Sequence, residues 1–386
     1  MPPLRVVAAP NAFKGSLDAA AAAAAVCAGV CDADASASAD AVPMADGGDG
    51  TASVLAAALG GAWRTVRAPG PWGPEVEAPF ALLPDGTAVV DIAAASGLGP
   101  LRPGPPEALT ASTDGTGTVV RAALRAGARR LWIALGGSAT TDGGAGVLRA
   151  LGARLLDPAG QDLPAGGAAL SRLARVDLDG LVWPPDAEVV VLVDVRNPLL
   201  GPHGSAAVFG PQKGADPDAV LALESGLARF ADVLEGATGR HARDLAGAGA
   251  AGGAGFGFAA GLGAAIRPGA DVVAEAVGLR RRLEAVDLCL TGEGCLDGQT
   301  AFGKAPAAVA AHAAAVGVPA AALCGALGAG WEGLLSPRGP FCAVLPISPG
   351  PRTRSEALSA TAADLRRTAA AATRLFAAGR RRAPLR

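Results

Sequence analysis

The chain has 386 residues, 51% of them hydrophobic and 18% charged, enough apolar material for two cores of ordinary domain size. A formal net charge of -2 leaves no basic excess to neutralise a nucleic-acid backbone, so no nucleic-acid partner is expected. The six cysteines include no CxxC pair and the three histidines show no ligand-like spacing, which argues against a structural zinc site or a disulfide framework.

The first apolar run, Leu4 to Ala8, enters the loop "NAFKGS" with Lys14 and then an alanine-rich helix from Ala19 to Val30, a strand, loop, helix order. That helix is too short to span a bilayer, and Lys14 and Asp18 precede it rather than a basic leader, so a cytoplasmic protein without a membrane segment is expected. "ADGGDGT" at 45 to 51 sets Asp46 and Asp49 around Gly47 and Gly48 just ahead of a helix. Between Gly70 and Val90 the pattern changes to short extended segments marked by prolines, with Asp85-Gly86 as a hairpin turn. This shift predicts a second domain opening near residue 66.

Further apolar runs follow at Leu131 to Leu135, Val189 to Val193, Leu288 to Thr291, Ala320 to Cys324 and Cys342 to Ile347, each entering a loop with glycine or proline. They read as buried parallel strands with functional loops at their carboxyl ends. Helical stretches at Thr118 to Ala126, Ala145 to Leu151, Asp218 to Leu234, Lys304 to Val316 and Ser355 to Ala378 alternate with them, which predicts an α/β class. The Gly/Ala tract from Gly247 to Ala264 is too apolar for a linker and is expected to pack closely or to let backbone approach a ligand.

Phosphoryl transfer needs glycine-rich backbone around phosphates, carboxylates for magnesium, and cations to offset developing charge. "GGSATTDGGAG" at 136 to 146 offers Ser138, Thr140, Thr141 and Asp142 among five glycines. The loop from 194 to 216 supplies Asp194, Asn197 and Lys213, and the loop from 291 to 306 supplies Glu293, Asp297, Gln299, Thr300 and Lys304. An isolated Asp in such a turn is commonly an N-cap or turn former. Several such loops at the carboxyl ends of strands point instead to a ligand. Residues 298 to 305 fit G-x-x-x-x-G-K but end in Ala305 where the hydroxyl for magnesium belongs, so this is not a P-loop. Gly247, Gly249 and Gly252 fit G-x-G-x-x-G with no strand before them, and no G-x-S-x-G elbow is present.

Taken in order, "APNAFKGSLDA" from 9, "MADGGDGT" from 44, "DIAAASGL" from 91, "STDGTG" from 112, "GGSATTDGGAG" from 136, "DVRNPLLG" from 194, "VFGPQKGA" from 208 and "TGEGCLDGQTAFGK" from 291 resemble the bacterial type I glycerate kinases nearly end to end. The resemblance implies an ATP- and Mg²⁺-dependent kinase of D-glycerate, with 2-phosphoglycerate the favoured product. It also implies a flavodoxin-like domain made of residues 1–65 and 285–386, with a second α/β domain, 66–284, inserted, and an active site in the cleft between them. On this reading Lys14, Asp46, Asp49, Asp194 and Lys213 are catalytic. Gly47, Gly48, Ser138, Thr140, Asp142, Asn197, Gln299 and Lys304 bind substrate or phosphate, and Asp194, Glu293 and Asp297 hold the metal. A homodimer is compatible with it. The competing readings are a ligand-binding homologue without chemistry and a kinase of another small hydroxy acid. Cys295 stands where the family usually has arginine, a bidentate anion partner that a thiol cannot replace, and Asp114 stands where an aromatic residue is frequent.

Overall fold

A computed structural model of the chain describes residues 2–298, 300, 303–335 and 339–382. In chain order the strands are β1 (Arg5–Pro10), β2 (Ser38–Ala41), β3 (Ala62–Pro69), β4 (Glu75–Leu82), β5 (Thr87–Asp91), β6 (Arg130–Ala134) and β7 (Arg154–Leu156). They continue with β8 (Arg175–Asp177), β9 (Glu188–Val193), β10 (Ala265–Pro268), β11 (Leu288–Leu296), β12 (Ala320–Leu327) and β13 (Ala343–Pro346). The chain divides into two compact units, Met1–Asp46 with Ala270–Arg386, and Gly47–Gly269.

The first unit carries a five-stranded sheet in the order β13-β12-β11-β1-β2, with every neighbouring pair parallel. Numbered along this unit, the order is the flavodoxin-like 2-1-3-4-5. Its central strands are unbroken apolar runs because a parallel sheet is covered on both faces; in β1 every residue after Arg5 is buried. The helix Ala19–Ala33 starts where Asp18 accepts a hydrogen bond from the Ala21 amide at 2.7 Å, an N-cap. It packs on the long helix Arg354–Arg382, so closely at Gly29 that a Cβ there would collide with the Arg366 carbonyl. Val6, Val26, Leu290 and Leu365 share the core of this unit.

The second unit carries a six-stranded mixed sheet, β10-β9-β6-β5-β4-β3. β10, β9, β6 and β5 are parallel, while β4 and β3 join antiparallel. The β4–β5 connection is the Asp85-Gly86 turn, where Gly86 has φ 82° and the Thr87 amide donates to Asp85 Oδ1 at 3.0 Å. β7 and β8 form a separate antiparallel ribbon. Ile133, Val191, Phe230 and Phe256 lie in the core, with the two phenyl rings edge to face at 5.7 Å.

In the structure the division between the two units falls after Asp46 and after Gly269. The helix Thr51–Leu59 packs on β4 and β5, so it belongs to the sheet that follows it. At the other end Arg282 pairs with Asp40 at 2.7 Å, which ties the helix Leu279–Leu283 to the first unit. The proline-marked change in sequence signals β3 and β4 but not the helix ahead of them. The Gly247–Ala264 tract packs backbone on backbone, in accord with its composition. Ala251, Gly252 and Gly253 bend left-handed, the Gly252 carbonyl accepts the Gly143 amide at 2.9 Å, and a Cβ at Gly252 would collide with the Thr140 carbonyl. Among the described residues no helix is long and apolar enough to cross a membrane.

Candidate active site

In the second unit the loops that leave β5, β6 and β9 lie at the carboxyl ends of parallel strands, the edge of an open sheet where ligands bind. Two glycine-rich loops meet there. The Gly136 amide donates to the Gly47 carbonyl at 2.9 Å, a Cβ at Gly136 would run into Gly48, and the Asp49 side chain lies beside Gly137. A side chain at 136 would hold these loops apart, and one at 47, where φ is 91°, would collide with the Leu192 carbonyl of β9, which accounts for glycine at both. Asp91, the last residue of β5, fixes the first loop from below: its oxygens accept the amides of Gly50 and Ala52, each at 3.0 Å. Burial drives the Asp91 pKa up to about 7 against the pull of those amides, and nearby Asp49 adds to the rise.

Lys213 ends the turn Pro211–Lys213 and is only 3% exposed. Its Nζ donates to Ser138 Oγ at 2.9 Å and to the Thr140 carbonyl at 2.6 Å, so one amine bridges two points of the 136–146 loop. Burial lowers its pKa to about 7, with Asp142 acting in the opposite sense. Among the described residues the buried Thr140 hydroxyl has no hydrogen-bond partner.

Asp142 sits at the other end of the loop with both oxygens engaged. Oδ2 accepts from the Thr113 amide (2.8 Å), the Thr113 hydroxyl (2.9 Å), the Gly146 amide (3.2 Å) and the Ser112 hydroxyl (3.5 Å), and Oδ1 from the Gly144 amide (3.1 Å). Burial raises its pKa while the Thr113 hydrogen bonds lower it. The geometry makes Asp142 a clamp on the loop. Asn197 is likewise used locally, donating from its side chain to the His203 carbonyl at 2.8 Å. Asp194 follows β9 directly and is half-buried.

In the first unit a second set gathers at the carboxyl ends of β1 and β11. Asn11 Nδ2 donates to the buried Asp46 at 2.9 Å. Glu293, on β11, is also buried and accepts from the Thr300 hydroxyl at 3.2 Å. Lys304 lies 3.2 Å from Asp297 and 4.0 Å from Glu293. Burial raises the Glu293 pKa to about 7; Lys304 lowers it, and Asp46 raises it further. The Lys304 ammonium is held above its ordinary pKa by Glu293 and Asp297, although burial acts against them as the largest single influence. Lys14 is exposed, with its backbone amide beside Gly294, and Gln299 lies outside the described residues.

The expected residues thus fall into one set per unit: Lys14, Asp46, Glu293, Asp297, Thr300 and Lys304 in the first, and Gly47, Gly48, Asp49, Ser138, Thr140, Asp142, Asp194, Asn197 and Lys213 in the second. Two partners were not foreseen, Asn11 and Asp91. Asp91 was legible as a carboxylate ending an apolar strand ahead of a small-residue segment. Asn11, next to a proline after β1, carried no comparable signal. Cys295 is exposed with its thiol pKa raised, first by burial and then by Asp297, so it is not an activated thiolate. Asp114 pairs with Arg149 through two hydrogen bonds of 3.0 and 2.5 Å, linking the helices Asp114–Arg125 and Ala145–Ala150. That pairing gives the acid at 114 a structural role.

Residues 6–377 match the model of the glycerate kinase family. The chain is 43% identical to a glycerate kinase of Bacillus subtilis over 84% of its own length and 85% of that protein's. It is 37% identical to the glycerate 2-kinase of Escherichia coli over 84% and 86%. A solved structure from Salmonella typhimurium LT2, assigned as a glycerate kinase 2, superposes with a TM-score of 0.83 at 37% identity, covering 98% of this chain and all of that one. Family match, relatives and fold agree along the chain, and the glycine loops with their buried lysine and carboxylates lie within the matched residues: the chain is a kinase of the glycerate kinase family.

Proposed function

We propose that this kinase transfers the γ-phosphoryl group of ATP, as its Mg²⁺ complex, to the 2-hydroxyl of D-glycerate. The observation that carries the reading is the meeting of the 47–50 and 136–146 loops at the carboxyl ends of β5, β6 and β9, with buried Lys213 bridging the second loop, which supplies backbone amides for an anionic substrate and a buried amine beside them. The name of the Escherichia coli relative, glycerate 2-kinase, supports the 2-position. Association as a homodimer belongs to the same proposal.

The residues present fit a magnesium ion. Among the described residues no group of three or more His, Cys, Asp or Glu side chains is disposed to hold a metal, but Mg²⁺ is ordinarily held by one or two carboxylates together with substrate phosphates. Buried Glu293 and Asp46, whose charges repel, are hard oxygen donors of that kind; Asp297 stands behind Glu293, and Asp194 is the equivalent carboxylate of the second unit. The bound ion would offset charge on the transferring group. Lys304 and Lys14 bind phosphate oxygens, Asp49 orients the acceptor, and Asp142 and Asp91 keep the two glycine loops in shape. Phosphorus NMR of the product from ATP and D-glycerate tests the proposal. A 2-phosphoglycerate resonance is expected; no ester above background overturns the kinase reading, and a 3-phosphoglycerate resonance overturns the assigned position.

A further inference from the structure

Transfer to a hydroxyl needs a group that takes the hydroxyl proton, and the second unit holds one that is not a carboxylate. Lys213 Nζ lies 2.9 Å from Ser138 Oγ and 2.6 Å from the Thr140 carbonyl. A carbonyl oxygen only accepts, so one N–H of Lys213 is committed to Thr140 in either protonation state. In the neutral amine that bond leaves the nitrogen lone pair available to the hydroxyl of Ser138. The carboxylates that shape the two glycine loops are otherwise occupied: Asp142 receives five donors and Asp91 receives two backbone amides, one on each oxygen.

We infer that Ser138 and Lys213 form the proton relay for the acceptor hydroxyl, an inference that rests on the reaction proposed above. The acceptor O–H bond breaks as its oxygen bonds to the γ-phosphorus, and the bond from that phosphorus to the ADP oxygen breaks with the electron pair leaving on ADP. The acceptor proton passes to Ser138 Oγ while the proton of Ser138 passes to Lys213 Nζ, which becomes an ammonium. Ser138 is the catalytic residue that touches substrate, and Lys213 acts through it. The neutral amine this requires is available near neutrality, because burial brings the group to about 7. Among the described residues Asp142 is the charged group acting on it, favouring the ammonium. The relay therefore works above that pH and fails below it as Lys213 takes up a proton.

The test is the pH profile of kcat with D-glycerate for the wild type and for S138A, K213M and K213R, with folding of each variant followed by circular dichroism. The relay predicts a wild-type kcat that falls with acid below about pH 7, and loss of about 100-fold or more in kcat for S138A and K213M, with KM for glycerate changed less than threefold. K213R keeps a charge but cannot accept a proton at these pH values, so it is expected to be as slow as K213M; a merely structural cation would be rescued by arginine. Should the Lys213 variants fail to fold, the small change S138A carries the same prediction. A kcat within threefold of wild type in S138A or K213M, a loss confined to KM, or an active K213R with the wild-type acid limb overturns the relay and leaves the kinase standing. Absence of turnover in the wild type overturns the reaction on which the relay rests.

Discussion

Replacing Asp142 separates its role as a clamp from any role as a ligand. In D142A the amides of Thr113, Gly144 and Gly146 and the hydroxyl of Thr113 lose an acceptor at 2.8 to 3.2 Å in a site that is 1% exposed. A buried donor left unsatisfied costs about 1–3 kcal/mol. Removing the carboxylate also removes its own burial cost, the influence that raises its pKa most. Four stranded donors less that relief give a loss of about 4 kcal/mol. D142N keeps one oxygen, which serves best where Oδ2 met three of these donors, and turns its NH₂ toward Gly144; a loss of about 1–2 kcal/mol follows. Urea unfolding followed by tryptophan fluorescence reads this unit, because Trp63, Trp72, Trp132 and Trp183 lie within it and only Trp331 lies outside. A D142A protein within 1 kcal/mol of wild type, or a D142N protein as unstable as D142A, would refute the clamp.

The pKa of Asp91 is raised from 3.8 to about 7, so between those values the folded state holds a proton that the unfolded chain does not. The stability this proton confers is complete below pH 4 and lost as pH rises through 7. D91N should remove up to about 4 kcal/mol of that fall, seen as wild-type minus variant stability declining by about that much between pH 4 and 7 across urea titrations; parallel curves would contradict it. Gly252, at φ 69°, lies where a Cβ would meet the Thr140 carbonyl. G252A should cost about 3 kcal/mol or more through strain and displacement of the 140–143 backbone. Differential scanning calorimetry showing a melting temperature unchanged in G252A would count against that packing.

Much of the fold was legible because burial on both sheet faces leaves a plain signal. All six apolar runs read from the sequence became β1, β6, β9, β11, β12 and β13. β2 and β10 were not legible: "SADA" and "AIRP" are four-residue strands with no apolar run, at the margins of their sheets. The site was legible in outline for the same reason, since glycine, acid and lysine stand out at strand ends. The sequence could not tell a side chain aimed at solvent from one consumed by its own backbone, and Asp142 and Asn197 are of the second kind. Nor could it reveal that Lys213 reaches back 75 residues to Ser138, because helical and strand periodicities carry no information on such distant pairs.

The pairing of Val6 with Leu288 has a consequence for how the protein is made. On the ribosome β1 and β2 emerge early, and β1 must wait for its neighbour β11 while the whole insert is translated, roughly 10 to 45 s at ordinary elongation rates. Gly47–Gly269 has its own sheet and core and can be complete by then. The nascent N-terminal segment meanwhile presents the apolar backbone of β1 with no strand on one side, a period in which chaperone capture or mispairing competes with closure of the sheet. Slow codons within the insert would lengthen that exposure, and a stop before Leu288 would leave a fragment with one finished body and an orphaned pair of strands.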